Sequence, residues 1–352
     1  MVSIAPALII GPQSTLASKP SPVFVAATPA GIDTFFYANS GAEISEAAIK
    51  LAKQATGRPH TIVFEGSFHG RTHMAMAMTT SKNVYRAGYA PLPSGVFTAP
   101  FPDLRADDLE AEIDASIAGF DRLLAGSTAP SETACVIIEP ILGEGGYRLA
   151  PKRFLETIAQ RCAEHGILFI ADEVQSGFAR TGKMFAIEYF DIEPDVICMA
   201  KGIASGFPFS ALGTRRDLDD KWPTRSHGGT YGGNAIGCAA ALATIDIFTE
   251  DGFLDHVNAR GDQLRAGLEK LMANGPIVEH VRGAGGMLAC DLRSAEETKA
   301  VVQHCLNESN VILMTAGSAG DTIRFMSPLT VSEEEIDLVP EALTKAIAAL
   351  PA

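Results

Sequence analysis

The chain has 352 residues, enough for one large domain and a smaller one. Hydrophobic residues make up 47% of it and charged residues 20%, which is the composition of a globular protein with an ample core. The net charge of −14 repels nucleic-acid phosphates and anionic membrane surfaces, so we expect neither as a partner.

The N-terminal segment carries no clear targeting pattern. Ala5 to Ile10 is an apolar run, but it is too short to span a bilayer and no basic residue precedes it. The first 40 residues contain no arginine, which argues against a transit peptide. We therefore expect a cytoplasmic protein whose residues 1–30, rich in Pro, Ser and Ala, form an irregular lead-in or a short helix.

Short apolar strands alternate with helical segments from residue 34 onward. We predict strands over residues 34–38, 61–64, 135–139, 167–172 and 196–200, and helices over residues 42–54 and 151–164. Strands that are apolar throughout and separated by helices are typical of a buried parallel sheet. The sequence therefore predicts an α/β fold with a mostly parallel central sheet and helices on both of its faces.

The C-terminal third follows a different pattern. A long Ala/Leu-rich helical region precedes two strand-like segments and a closing helix, over residues 234–274, 287–291, 322–325 and 333–350. We place the change of domain near residues 245–255. The expected division is the lead-in (1–30), a large domain (31–248) and a smaller C-terminal α+β domain (249–352).

The cysteines lie far apart in the chain, and none belongs to a Cys-x-x-Cys pair. They are Cys135, Cys162, Cys198, Cys238, Cys290 and Cys305. This spacing favours reduced, mostly buried thiols over a disulfide framework or a zinc site, and we expect no metal.

Polar residues fall at or just past the ends of several predicted strands: Asn39, Glu139, Asp172 and Lys201. In open α/β sheets, ligands bind outside these carboxyl ends. Partial burial there would lower the pKa of Lys201 and favour imine formation with an aldehyde, although a surface lysine is the commoner interpretation of that residue alone. A buried Asp172 needs a cation such as a pyridinium N–H; taken alone, it fits a turn or helix cap better.

Two loops contain glycines that permit close backbone approach. Ser40-Gly41-Ala42 precedes a helix, so its hydroxyl and free N–H groups could hold a phosphate, although a plain N-cap fits equally well. The segment His-Gly-Gly-Thr-Tyr-Gly-Gly-Asn at residues 227–234 offers Thr230 as a second phosphate ligand. A flexible surface loop is the alternative interpretation of that segment.

Aromatic and charged side chains on other loops could bind a ring and carboxylates. Phe68-His69-Gly70-Arg71 offers an aromatic ring to stack on a cofactor and a guanidinium to hold a carboxylate. Arg324 offers a second guanidinium, and Glu144 could pair with one of the two. Each arginine taken separately is more often a structural ion-pair partner.

Several segments together carry a family resemblance. They are Asn-Ser-Gly-Ala-Glu (39–43), Phe-His-Gly-Arg-Thr (68–72), Ile-Glu-Pro (138–140), Gly-Glu-Gly-Gly (143–146), Ala-Asp-Glu-Val-Gln-Ser-Gly (171–177), Ala-Lys-Gly (200–202) and Gly-Thr-Tyr-Gly-Gly-Asn (229–234). In combination they resemble the class III (subgroup II) aminotransferases, of the aspartate-aminotransferase-like PLP fold type I, from about Thr34 to the C-terminus. Within this family the sequence most resembles the 4-aminobutyrate aminotransferase branch. This resemblance includes Arg324, which stands shortly before Ser-Pro-Leu-Thr.

The resemblance implies pyridoxal 5′-phosphate as the cofactor. Lys201 would form a Schiff base with it and shuttle the proton between the α-carbon and C4′, while Asp172 would bind the pyridine nitrogen. The remaining cofactor-binding residues that it implies are Ser40, Gly41 and Ala42 at the phosphate, Thr230 at the phosphate from the other subunit, Phe68 and Val174 on the ring faces, Gln175 at the phenolic oxygen, and His69.

The resemblance also implies how substrates bind. Arg71 would take the distal carboxylate of the amino donor, and Arg324 the α-carboxylate of glutamate or 2-oxoglutarate. Glu144 would neutralise Arg324 when an ω-amino acid without that group is bound. Small-molecule amino donors and 2-oxo acid acceptors would be the substrates, and the active sites would be shared within a homodimer or a tetramer.

This chain departs from the family at two places. It has several dozen fewer residues before Thr34, and the stretch after Pro102 is shorter, so we expect a more open pocket wall and a weaker dimer. Alternatives within the same cofactor class are an aminotransferase for other ω-amines or ornithine-like donors, a dialkylglycine decarboxylase and an aminomutase. A non-catalytic homologue with a binding or regulatory role is the alternative from a different class.

Overall fold

A large, mostly parallel sheet lies at the centre of the computed structural model, which describes residues 22–351. Its strands and the short hairpin beside it are β1 (Thr34–Ala38), β2 (His60–Phe64), β3 (Val96–Ala99), β4 (Thr133–Ile138), β5 (Ile141–Leu142), β6 (Arg148–Leu149), β7 (Leu168–Asp172), β8 (Val196–Met199) and β9 (Ser210–Thr214). The order in the sheet is β1-β9-β8-β7-β4-β2-β3, and β9 runs antiparallel to both of its neighbours. The predicted parallel architecture is confirmed.

Helices cover both faces of this sheet. The helices of the described residues are α1 (Pro22–Ala27), α2 (Gly41–Thr56), α3 (His73–Met78), α4 (Leu109–Gly126), α5 (Lys152–His165), α6 (Arg216–Asp219), α7 (Ala235–Phe248), α8 (Phe253–Ala273), α9 (Ala295–Ser309) and α10 (Glu333–Ala348). Alternation along β2 shows the two layers: Val63 packs with α2 on one side, and Phe64 packs with Phe120 of α4 and Phe154 of α5 on the other.

The start of α2 is fixed by local hydrogen bonds. The Ser40 hydroxyl accepts the N–H of Glu43, and the Glu43 carboxylate in turn accepts the N–H of Asn39 at 3.0 Å. This reciprocal cap leaves the first free N–H groups of the helix pointing at the carboxyl end of the sheet. Gly57, in the left-handed region at φ +70°, ends the helix.

A smaller antiparallel sheet forms the C-terminal part. It comprises β10 (Val278–Ala284), β11 (Met287–Leu292), β12 (Met314–Ala316) and β13 (Thr322–Phe325), in the order β10-β11-β13-β12. Apolar side chains of this sheet form one core with those of α8, α9 and α10. The smaller α+β unit is therefore confirmed.

The helical region predicted over residues 234–274 consists of two helices, because α7 ends at Phe248 and α8 begins at Phe253. Gly252 precedes α8 with φ +84°. The predicted domain boundary falls between these helices, and the division into domains stays a prediction.

The apolar run at residues 5–10 and most of the predicted lead-in lie outside the described residues; α1 is the short helix that falls inside them. Between residues 22 and 351, no helix combines the length and apolar character needed to cross a membrane. All six cysteines carry free thiols, and each is buried except the half-buried Cys238. The expectation of reduced, mostly buried cysteines is therefore confirmed.

Candidate active site

A cavity of about 530 Å³ opens at the carboxyl ends of β1, β7 and β8. Its volume is in the usual range for a pocket that binds a small molecule. The predicted site residues that line it are Ser40, Gly41, Ala42, Phe68, His69, Arg71, Asp172, Val174 and Lys201. Of the four polar residues predicted at strand ends, Asn39, Asp172 and Lys201 line the cavity and Glu139 does not.

Lys201 is the second residue after β8 and begins a 3₁₀ turn that runs to Ala204. Its backbone lies in the left-handed region at φ +46°, which is strained for a residue with a side chain. The residue is exposed, and its side chain lines the open cavity. The protein atoms around the ammonium group still lower its pKa, because partial desolvation disfavours the charge. A lysine prepared in this way has a larger neutral, nucleophilic fraction than a fully solvated one.

Asp172 ends β7 and forms a buried pair with His69. The distance from His69 Nδ1 to Asp172 Oδ2 is 2.6 Å, and Asp172 Oδ1 accepts the N–H of Val174 at 3.0 Å. Both side chains are almost wholly buried. Within residues 22–351, His69 Nε2 has no hydrogen-bond partner. These two contacts hold the carboxylate of Asp172, which lines the cavity, in one orientation.

The N-terminus of α2 forms part of the cavity wall, where Gly41 and Ala42 line it. A Cβ atom built on Gly41 would lie 2.8 Å from Cγ1 of Val174, which also lines the cavity. Any larger residue at position 41 would therefore displace Val174. The sequence places glycine where the backbone and the Val174 side chain meet most closely.

Glu139 is a buried carboxylate whose strand-end position was predicted without a role. Its Oε1 accepts the N–H of Phe68 at 2.8 Å and its Oε2 accepts the N–H of Gly143 at 2.9 Å. Burial is the main cause that raises its pKa to about 7, and the nearby Asp172 adds to this rise. Its position just past the end of β4 is the feature by which the sequence marked it, and Asp172 and Lys201 also lie at strand ends.

Glu144 and Arg324 form an ion pair beside the cavity. Arg324 Nη1 donates to Glu144 Oε1 at 2.6 Å, and the two side chains are only 7% and 14% exposed. Burial opposes ionisation of Glu144, but the Arg324 guanidinium outweighs it and holds the carboxyl pKa below its ordinary value. The pairing proposed from the sequence is confirmed for Arg324.

Arg71 and Tyr85 lie next to this pair. The Tyr85 hydroxyl donates to Glu144 Oε2 at 2.9 Å, and the Arg71 guanidinium lies 4.8 Å from the centre of the Tyr85 ring. Arg71 is exposed and forms no ion pair with any of residues 22–351. Tyr85 was missed because it belongs to a short 3₁₀ turn, Asn83–Tyr85, with no periodic pattern.

Gln175 and Thr230 do not line the cavity. Gln175 packs against Gly143, where a Cβ atom would lie 2.2 Å from its Oε1, and that oxygen is buried with no partner within the described chain. Thr230 is exposed on the segment before α7. Their predicted roles at the phenolic oxygen and at the phosphate of another subunit stay predictions.

The family model "Aminotransferase class-III" matches residues 5–347. A probable 4-aminobutyrate aminotransferase of Bacillus subtilis is 39% identical over 308 residues, which cover 84% of this chain and 71% of that protein. A 5-aminovalerate aminotransferase of Pseudomonas putida is 38% identical over 306 residues, covering 85% of this chain and 71% of that one.

Solved structures match equally broadly. A transaminase from the marine bacterium Virgibacillus superposes with a TM-score of 0.86 at 26% identity, covering 96% of this chain and 81% of that chain. An aminotransferase of Bacillus anthracis gives a TM-score of 0.84 at 29% identity, with 90% and 76% covered. From the family match and the relatives above 30% identity, the chain belongs to the class-III aminotransferases.

Proposed function

We propose that this chain is a pyridoxal-phosphate-dependent transaminase. It moves the amino group of an ω-amino acid such as 4-aminobutyrate to 2-oxoglutarate or another 2-oxo acid. Relatives named as 4-aminobutyrate and 5-aminovalerate aminotransferases support the donor class. Both of those donors carry an amine at one end and a carboxylate at the other.

The donor assignment depends on one observation: of the two guanidinium groups beside the cavity, one is paired with a carboxylate and the other is not. Arg324 is neutralised by Glu144, whereas Arg71 has no anionic partner among residues 22–351. A donor with one distal carboxylate would find a single free cation, and its amine end would face Lys201 without a second charge to bind. An α-amino acid would have to displace Glu144 to use Arg324.

The cavity fits the cofactor. Pyridoxal phosphate, when bound, supplies an aldehyde that condenses with amines and a ring that withdraws electrons from the adjacent carbon. The N–H groups of Gly41 and Ala42, at the positive end of α2, would hold its phosphate. Phe68 and Val174 would cover its two ring faces.

Asp172 and Lys201 would perform the proton chemistry at opposite ends of the ring. The Asp172 carboxylate, oriented by His69, would hold a proton on the pyridine nitrogen. The Lys201 amine, whose pKa is lowered by partial desolvation, would accept a proton from the substrate carbon and return it one position along. The carboxylate contact to Arg71 would hold the substrate C–H bond beside that amine.

We also propose that the active sites are shared within a homodimer. Two exposed apolar side chains follow Thr230 in the chain, Tyr231 at 73% exposure and Ile236 at 66%. Apolar groups this exposed next to a predicted cofactor ligand are typical of an interface. A second copy that covered them would bring Thr230 to the partner's phosphate.

Ile236→Asp is expected to dissociate this dimer, because an interfacial carboxylate without a partner is costly to bury. Sedimentation velocity should show the monomer, and activity should fall with the dimer fraction. Ile312→Asp is the control, since Ile312 is 80% exposed beside the small sheet. A dimer that survives in the Ile236 variant, or a wild-type monomer with full activity, would contradict the proposal.

Arg71→Ala is the direct test of the donor assignment. The KM for 4-aminobutyrate should rise about 30-fold, the cost of one charge-assisted hydrogen-bonded contact, while the KM for an uncharged primary amine should change little. Steady-state kinetics with both donors measure the two values. Arg122→Ala, which removes an exposed arginine on α4, controls for the loss of one charge. An equal rise for both donors would favour a transaminase for uncharged ω-amines instead.

A further inference from the structure

We propose that Tyr85 is the positioning residue that sets the balance between ω-amino and α-amino substrates, through its simultaneous contacts with Glu144 and Arg71. The inference rests on the proposed function, because it assigns Tyr85 a part in the same carboxylate recognition. It extends that function to a residue outside the family motifs noted in the sequence.

Tyr85 completes the coordination of Glu144. One oxygen of this carboxylate accepts from Arg324 and the other accepts from the Tyr85 hydroxyl at 2.9 Å. The Glu144 backbone is held as well, since its carbonyl accepts the N–H of Gly317 at 3.0 Å. The Tyr85 hydroxyl therefore helps to hold the Glu144 side chain on Arg324.

The ring of the same tyrosine supports the other guanidinium. Arg71 lies over it at 4.8 Å, closer than its 5.9 Å distance to the Phe68 ring. Phe68 meets Tyr85 edge-on, with 5.1 Å between ring centres. A cation above an aromatic face is attracted by the ring electrons, so Tyr85 holds Arg71 in place without neutralising it.

These contacts bias Glu144 between two positions. With Glu144 on Arg324, the site presents one free cation and suits an ω-amino acid; with Glu144 displaced, Arg324 is free for an α-carboxylate. The Tyr85 hydroxyl stabilises only the first position. Removing the hydroxyl should shift the population of Glu144 toward the second position. The size of the shift is set by the difference in the free energy of that hydrogen bond between the two positions.

Tyr85→Phe isolates the hydroxyl, because the ring under Arg71 and beside Phe68 remains. Single-turnover reactions of the holoenzyme with 4-aminobutyrate and with L-glutamate measure kcat/KM for each donor. We expect the ratio of the first value to the second to fall about tenfold, the contribution of one hydrogen bond to a charged group. The L-glutamate value should rise, because the position that frees Arg324 becomes more populated, and the 4-aminobutyrate value should stay constant or fall.

A rise of the L-glutamate value distinguishes positioning from a purely structural role, which would lower both values together. Tyr89→Phe removes the hydroxyl of an exposed tyrosine on the same loop and should leave the ratio unchanged. An unchanged ratio in Tyr85→Phe, a fall by one common factor or a larger loss with L-glutamate overturns the inference.

Glu144→Ala separates this inference from the function on which it rests. If this variant lowers the donor ratio and Tyr85→Phe does not, only the role of Tyr85 is overturned. If Glu144→Ala leaves the ratio unchanged, the proposed recognition by Glu144 and Arg324 itself fails. If each single variant lowers the ratio, adding Tyr85→Phe to Glu144→Ala should change the ratio no further, because the two residues act through one contact.

Discussion

Lys201→Ala is expected to lower kcat by about 100- to 10,000-fold, the contribution of a positioned proton-transfer group. The reason is the position of Lys201, which is the second residue after β8 and lines the cavity together with Asp172 and the start of α2. No other lysine lines that cavity in the described chain. Stopped-flow absorbance of the half-reaction with 4-aminobutyrate measures the loss.

The spectrum of the same protein tests whether Lys201 also attaches the cofactor. Wild-type protein incubated with pyridoxal phosphate should show a visible band that moves to the near-ultraviolet with an amino donor; the alanine variant should lack this covalent band. Lys201→Arg should be as inactive, since an arginine stays protonated at every accessible pH. Lys299→Ala, on the exposed side of α9, should retain full activity.

The outcome also decides between a catalyst and an inert homologue. A wild-type band that no amino donor moves would indicate binding without turnover, and no band at all would contradict the cofactor assignment. More than about one per cent of wild-type kcat in Lys201→Ala would show that another group transfers the proton.

The fold and the centre of the site followed from the sequence because one physical signal determines both. Strands buried on both faces must be apolar throughout, so their ends are visible as the first polar residues. Asp172 and Lys201 are such residues, and a parallel sheet brings their strand ends to one edge. Glu139 shows the same signal, yet the chemistry of a carboxylate alone did not distinguish a hydrogen-bonding role from a catalytic one.

The recognition of carboxylates was harder to derive, because its contacts join distant and aperiodic segments. Glu144 and Arg324 are 180 residues apart in sequence, and the approach of the small sheet to the loop after β5 decides whether they meet. Tyr85 lies on a turn that no hydrophobic period marks. Its role depends on the direction of one hydroxyl group, which local propensity does not determine.

Asp172→Asn is expected to lower kcat by about 1,000-fold, in the range of removing a preorganised electrostatic contact from an enclosed site. Asparagine keeps the size of the side chain but cannot stabilise a protonated ring nitrogen as a carboxylate does. It also weakens the 2.6 Å contact to His69, which orients the group. The half-reaction rate with 4-aminobutyrate and the affinity for pyridoxal phosphate should both fall, while circular dichroism shows an intact fold.

The adjacent residue supplies a matched control for this substitution. Glu173 is also a buried carboxyl group, but it binds the Ser176 hydroxyl and the N–H of Ile187 rather than lining the cavity. Burial is the main cause that raises its pKa to about 7, so near neutral pH the carboxyl is already partly uncharged and an amide resembles it. Glu173→Gln should therefore leave kcat within about threefold, even if it lowers thermal stability. Equal losses of kcat in the two variants would mean that Asp172 acts through packing, and that another group holds the ring proton.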